Sequence, residues 1–127
     1  MLAEYLRGIL CHRLFANEFL ERIAGTGKEK KVFTLLSTRL MVLNAKGIHV
    51  VEDKEFENIG NGLYSMHLSG SGFNLRILFA FLPNSQPVLL LAFYERGGKG
   101  KTDYSSNIKT ALSRLDQMKE DYEHGRI

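Results

Sequence analysis

Residues 62–94 read GLYSMHLSGSGFNLRILFAFLPNSQPVLLLAFY, and no other stretch restricts the fold as strongly. From Gly62 to Leu68, the residues Leu63, Ser65 and His67 alternate with Tyr64, Met66 and Leu68. Phe73 to Leu82 contains Leu75, Ile77, Phe79 and Phe81 at alternate positions, and Val88 to Tyr94 is almost wholly apolar. Alternation with a period of two is the mark of a half-buried strand, and a short continuous apolar run is that of a fully buried one. SGSG at 69–72 and LPNSQP at 82–87 supply the Gly, Pro and Asn that reverse a chain. The stretch therefore predicts a three-stranded antiparallel meander.

Helical periods flank it. From Ala16 onward Phe15, Phe19, Leu20 and Ile23 share one stripe while Glu18, Glu21 and Arg22 face water, and Gly25 and Gly27 end the helix. Between Lys28 and Lys46 the residues Val32, Leu35, Leu36, Leu40 and Leu43 recur at steps of three and four, with Gly47 as the stop. Two helices joined by a glycine turn form a helical hairpin whose apolar faces need a sheet to cover. After the meander, Asp103, Ser105 or Ser106 can cap a last helix. Ile108, Ala111, Leu112, Leu115 and Met118 would face inward and Lys109, Arg114, Lys119 and Glu120 outward. The tail DYEHGRI is expected to fray. In the first dozen residues the alternation suits a short strand, with a helix as the alternative. The expectation is an α+β domain spanning 1–127: an N-terminal helical hairpin on a small antiparallel sheet, the meander with room for a fourth, N-terminal strand, and a C-terminal helix.

At 127 residues, 44% of them hydrophobic, the chain suffices for one core. No apolar run approaches the length of a membrane span, and Glu4 and Arg7 interrupt the N-terminal apolar stretch, so neither a membrane protein nor a secretory signal is expected. Cys11 is the sole cysteine, which rules out an intrachain disulfide and points to the cytoplasm. It neighbours His12, but adjacent residues on a regular element point apart, so a buried structural thiol is the commoner outcome. His12, His49 and His124 lack the paired spacing of a zinc site, and neither a metal nor a cofactor is expected.

The formal charge is +3 with a pI near 9.1. From Glu95 to Arg114 five cations, Arg96, Lys99, Lys101, Lys109 and Arg114, face only Glu95 and Asp103, a local +3 that equals the whole excess. FYERGGKGKTDY at 93–104 places Arg96, Lys99 and Lys101 among glycines 97, 98 and 100, where the backbone can approach a polyanion closely. Tyr94 and Tyr104 bracket the segment, and aromatic rings beside cations stack on unpaired bases. GGKGKT is not a nucleotide phosphate loop, because Glu95 stands where the first glycine of GxxxxGK belongs. The bland alternative is a solvated lysine-rich loop and a tyrosine that only packs over the helix start.

GLYSMHL from Gly62, LRILFAF from Leu75 and LLLAFYER from Leu89, placed after two helices and before a basic loop and a helix, resemble the RelE/ParE toxin superfamily and its HigB-like, phage-related branch. The likeness runs from about Phe15 to Glu120. It implies a type II toxin that cleaves messenger RNA on the ribosome and is held inactive by an antitoxin, expected to be of helix-turn-helix type. The implied chemistry is a metal-free endoribonuclease reaction in which the ribose 2′-hydroxyl attacks its own phosphodiester, which needs a base, cations on the phosphoryl oxygens and help for the leaving oxygen.

By position in that pattern Arg76, Lys99, Lys101 and Tyr104 are the implied catalytic residues, and Tyr94, Arg96, Lys109 and His67 the RNA-binding ones. Arg76 would point to an open face of the sheet if Leu75 and Ile77 face the core. His67 stands where relatives carry an arginine; it is either a general base near neutral pH or a structural residue. For Tyr104, base stacking comes before proton transfer, which would need a phenol perturbed by adjacent cations. Where relatives have two lysines this chain has Glu95 and Arg96, with Glu95 either a general base or the ion-pair partner of Arg96. ParE-like members are topoisomerase inhibitors rather than nucleases, and an inactive prophage-encoded binding domain is a third possibility, because fold does not fix function.

Overall fold

The computed structural model describes residues 3–95 and 104–127, with side chains from Leu6 onward. Among these residues the chain is α+β: a mixed six-stranded sheet, three α-helices and one 3₁₀ helix. The strands are β1 (Ala3–Leu6), β2 (Ile9–His12), β3 (Phe56–Gly60), β4 (Leu63–Gly70), β5 (Phe73–Phe81) and β6 (Pro87–Tyr94). The helices are α1 (Phe15–Ile23), α2 (Glu29–Lys46) and α3 (Tyr104–Glu123), with the 3₁₀ helix at Gly47–Glu52 after α2.

The order across the sheet is β1-β2-β6-β5-β4-β3. β4, β5 and β6 are successive antiparallel neighbours, as the alternation of residues 62–94 predicts. The sheet is wider than the three or four strands expected. β3 adds antiparallel to β4, and a β1–β2 hairpin joins the opposite side, β2 running parallel to β6. Both added hairpins turn on two residues of positive φ, Arg7 and Gly8 in one and Asn61 and Gly62 in the other. That pair of left-handed residues follows the right-handed twist of the strands.

Alternation along β5 divides the side chains between two cores. Leu75, Ile77 and Phe79 join Phe15, Phe19 and Ile23 of α1 and Val32, Leu36, Leu40 and Leu43 of α2. Leu78 and Ala80 meet Ala111, Leu115 and Met118 of α3 across the other face, with Leu91 and Phe93 of β6. Truncating any of the fully buried leucines to alanine removes about 2–5 kcal/mol of stability. Residues 24–28 connect α1 to α2, with Gly25 and Gly27 both at φ +76°. Glu29 Oε2 accepts from the Gly25 amide at 3.0 Å, so the first residue of α2 ties down its own approach.

Four expectations are corrected. The sheet face that carries Arg76 is only partly open, because α3 covers its Leu78, Ala80, Leu91 and Phe93 side chains. Leu20 does not join the apolar stripe of α1 and is 47% exposed. Arg114, placed in water by its periodicity, is buried. The C-terminal residues are anchored: Asp121 is buried, Arg126 N–H donates to Asp121 C=O at 2.8 Å and Ile127 packs on the α3 core. Among the described residues no helix is long and apolar enough to cross a membrane.

Candidate active site

A polar cluster lies on the α3 face of the sheet, beside the first residue of α3. Cross-strand register builds it. His67 of β4 sits opposite Arg76 of β5, which sits opposite Phe93 of β6, so the three share one row. Ser65 and Asn74, two residues from His67 and from Arg76, share that face by the period of the strand. Glu57 of β3 pairs with Ser65. Glu95 follows β6, fixed by its N–H donating to Asn74 C=O at 2.9 Å.

Arg76 is the hub. Its Nε donates to Glu95 Oε1 at 2.7 Å, and its Nη1 to Glu57 Oε1 at 3.2 Å and Ser65 Oγ at 3.3 Å. The Tyr104 hydroxyl donates to the other Glu95 oxygen, Oε2, at 3.3 Å. His67 Nε2 donates to Asn74 Oδ1 and lies 3.7 Å from Glu95 Oε1, and Asn74 Nδ2 reaches Glu95 C=O at 3.5 Å. From the strand edge, Arg39 of α2 donates to His67 C=O at 3.0 Å and to Glu55 at 2.8 Å.

The electrostatics follow from partial burial beside opposite charges. Burial alone would raise the Glu95 pKa, but the Arg76 hydrogen bond and charge, the nearby His67 and the Tyr104 hydroxyl outweigh it, and the net shift is downward. Glu95 is therefore a carboxylate at neutral pH. Burial raises the Tyr104 pKa, and the adjacent Glu95 adds to the rise against the opposing charge of Arg76. The phenol keeps its proton and acts as a donor. Burial works against the charged form of Arg76, but the Glu95 hydrogen bond and the surrounding anionic groups more than offset it. A proton donor and a fixed cation thus share one carboxylate, itself a proton acceptor.

Of the residues expected at the site, the structure brings together Arg76, His67 and Tyr104. The Tyr104 ring packs edge-on against Phe93, centroids 5.5 Å apart, and the residue is part of the α3 core, which leaves its hydroxyl as the polar handle. Tyr94 is elsewhere. It pairs with Leu75, on the α1–α2 side, and its hydroxyl donates to Arg22 C=O at 2.6 Å. Lys109 lines a groove beside the β2–α1 corner. Arg96, Lys99 and Lys101 lie outside the described residues. Sequence reasoning left Glu57, Ser65 and Asn74 out of the site. Glu95, expected as a general base or as the partner of Arg96, pairs with Arg76, and Arg96 lies outside the described residues. The available signal was the period of two: 65 and 67, 74 and 76, 93 and 95 necessarily share a face.

Among the described residues no three His, Cys, Asp or Glu side chains converge as metal ligands. No protein-family model matches the chain, and no curated protein matches it in sequence.

Proposed function

We propose that the chain is a toxin of the RelE/ParE superfamily, in its HigB-like branch, and that it cleaves translated messenger RNA as a metal-free endoribonuclease. The observation that carries this reading is the Glu95 carboxylate shared by Arg76 at 2.7 Å and Tyr104 at 3.3 Å. It sits on a sheet whose β4–β6 order agrees with the motif order on which the resemblance rests. In the proposed reaction a ribose 2′-hydroxyl gives its proton to Glu95 as its oxygen attacks the adjacent phosphorus. Arg76, with Arg96, Lys99 and Lys101 following in sequence, balances charge on the phosphoryl oxygens. Tyr104 protonates the departing 5′-oxygen, leaving a 2′,3′-cyclic phosphate and a 5′-hydroxyl. The proton held by Glu95 returns to Tyr104 across their hydrogen bond, so the cycle closes. His67, held by Asn74, lies beside Glu95.

The proposed partners are messenger RNA on the ribosome and an antitoxin protein of helix-turn-helix type, and the proposed location is the cytoplasm. Expression without the antitoxin, followed by mapping of RNA 5′ ends, tests the proposal. Growth arrest with new 5′-hydroxyl ends inside translated messages is expected. Intact growth and intact RNA in cells that accumulate folded protein would overturn it, and impaired DNA supercoiling with intact RNA would select the topoisomerase-inhibiting alternative.

A further inference from the structure

A second basic site lies away from the Arg76–Glu95 cluster. The strand order puts β2 on one side of β6 and β3–β5 on the other. The β2–α1 corner and the cluster therefore lie on opposite flanks of α3. Between that corner and α3 is a groove of about 390 Å³. Arg13 stands on one wall, and Lys109, Thr110, Ser113 and Gln117 stand on the other. Arg114 at its base is already matched by Glu18. Among the described residues no ion pair forms at Arg13 or at Lys109. The groove therefore holds two uncompensated cations on facing walls, with the Thr110 and Ser113 hydroxyls beside Lys109.

The cations on its walls make the groove unfavourable to a cationic ligand. His12 beneath it is neutral, both ring nitrogens being committed: Nδ1 accepts from Leu14 N–H at 3.2 Å and Nε2 donates to Gln117 Oε1 at 2.6 Å. A guanidinium facing an ammonium with hydroxyl donors beside it suits an anion with several acceptor oxygens. The groove is shallow and open to solvent. That shape suits a group carried on a long chain rather than a small ligand, which needs most of its surface buried to bind well.

We propose that Arg13 and Lys109, with the hydroxyls of Thr110 and Ser113, hold a backbone phosphate of an RNA strand at a site separate from the reacting one. The choice of RNA rests on the proposed function; the phosphate chemistry rests on the groove alone. Helix geometry puts Ser113 about 14 Å along the α3 axis from Tyr104, so one strand several nucleotides long can reach both flanks.

The test is anisotropy binding of a labelled 12-nucleotide 2′-deoxy single strand to the full chain at several salt concentrations, since a deoxy strand cannot undergo 2′-hydroxyl cleavage. Both Arg13 and Lys109 are exposed, so Arg13→Gln with Lys109→Gln should leave folding intact. The double variant is expected to lose at least tenfold in affinity at low salt. Its log–log salt slope should shrink by about 0.7, as one lost single-strand phosphate contact requires. Arg13→Lys with Lys109→Arg should restore both. A change under twofold overturns the proposal, as does equally tight binding of polyglutamate, which would make the groove a docking site for an acidic protein. Preferential saturation by orthophosphate or a nucleoside monophosphate overturns the RNA assignment. If the chain cleaves no RNA while the groove variants still lose binding, the nuclease reading fails and the groove stands.

Discussion

Arg114 of α3 grips Glu18 of α1 with two hydrogen bonds, Nη1 to Oε1 at 2.7 Å and Nη2 to Oε2 at 2.6 Å, although the two helices pack on opposite faces of the sheet. The link is possible because β2 pairs with β6 only at Val88 and Leu89. Past that point the register of β6 against β5 shifts, leaving Leu90 as an extra residue. Its buried carbonyl accepts from Arg114 Nη1 at 2.9 Å. Arg22 of α1 serves the next such carbonyl, Ala92 C=O, at 3.4 Å. A free sheet edge is thus closed by guanidinium groups instead of by a strand.

Arg114→Ala should cost about 2–4 kcal/mol in urea unfolding, because it strands a buried carbonyl and a half-buried carboxylate together. Arg114→Met keeps the aliphatic stem and should cost nearly as much if the polar contacts dominate. A loss below about 0.5 kcal/mol for Arg114→Ala would mean that water replaces the guanidinium freely.

Stability should depend on pH in two windows. Burial lowers the His12 pKa, and the charges of Arg114 and Arg13 lower it further against the Gln117 hydrogen bond and Glu18. The folded chain then binds this proton more weakly than the unfolded chain, whose histidine titrates near 6.5. The His12 contribution is complete above that value and is lost as pH falls through the folded pKa. Glu18 is also depressed, chiefly by the Arg114 hydrogen bond against burial, so its contribution fades only below its ordinary value of 4.5. His12→Asn should flatten the first window and Glu18→Gln the second, read from unfolding free energies across pH. A wild-type curve flat from pH 7 down to 5 would contradict the His12 assignment.

These couplings show which parts of the structure are legible from sequence. Strands β4–β6 and helices α1 and α2 start and stop within two residues of the positions that periodicity and glycines indicate. β3 is not legible in the same way. In FENIG only Phe56 is buried, as suits the outermost strand of a sheet, and the alternation is too weak to register. The Asn61–Gly62 pair was the usable signal there. Arg114 reads as a solvated helix residue because nothing local marks the partner it finds ninety-six positions earlier. Arg76 and Glu95 were singled out separately, but their pairing across nineteen residues follows from strand register, which single-sequence reasoning supplies only after the sheet order is known.

Within the proposed reaction, Glu95→Gln should lower kcat by about 10²–10⁴ by removing the proton acceptor while keeping shape. Tyr104→Phe keeps the packing on Phe93 and removes only the hydroxyl, so a fall of about 10² with unchanged Tm is expected. Because the Glu95 pKa is depressed and that of Tyr104 raised, the acid limb of the rate profile should lie below pH 4.5 and the basic limb above pH 10. Initial rates on an RNA substrate across pH measure all three. Full activity in Glu95→Gln would remove Glu95 from the chemistry.

At the C-terminus, Asp121 tests whether the last residues belong to the fold. Its side chain is 1% exposed; Oδ1 accepts from Arg126 Nη1 at 2.7 Å, while among the described residues Oδ2 has no hydrogen-bond partner. Gly125, at φ +71°, turns the chain back so that Arg126 can reach it. Arg126→Ala would leave a buried carboxylate unpaired and should cost about 1–2 kcal/mol, below the range for a fully buried pair because the arginine side chain is 56% exposed. Adding Asp121→Asn removes the buried charge, so the double variant should be more stable than the sum of the two single changes predicts. Strict additivity, or no effect of Arg126→Ala, would return the tail to the frayed segment that its composition suggests.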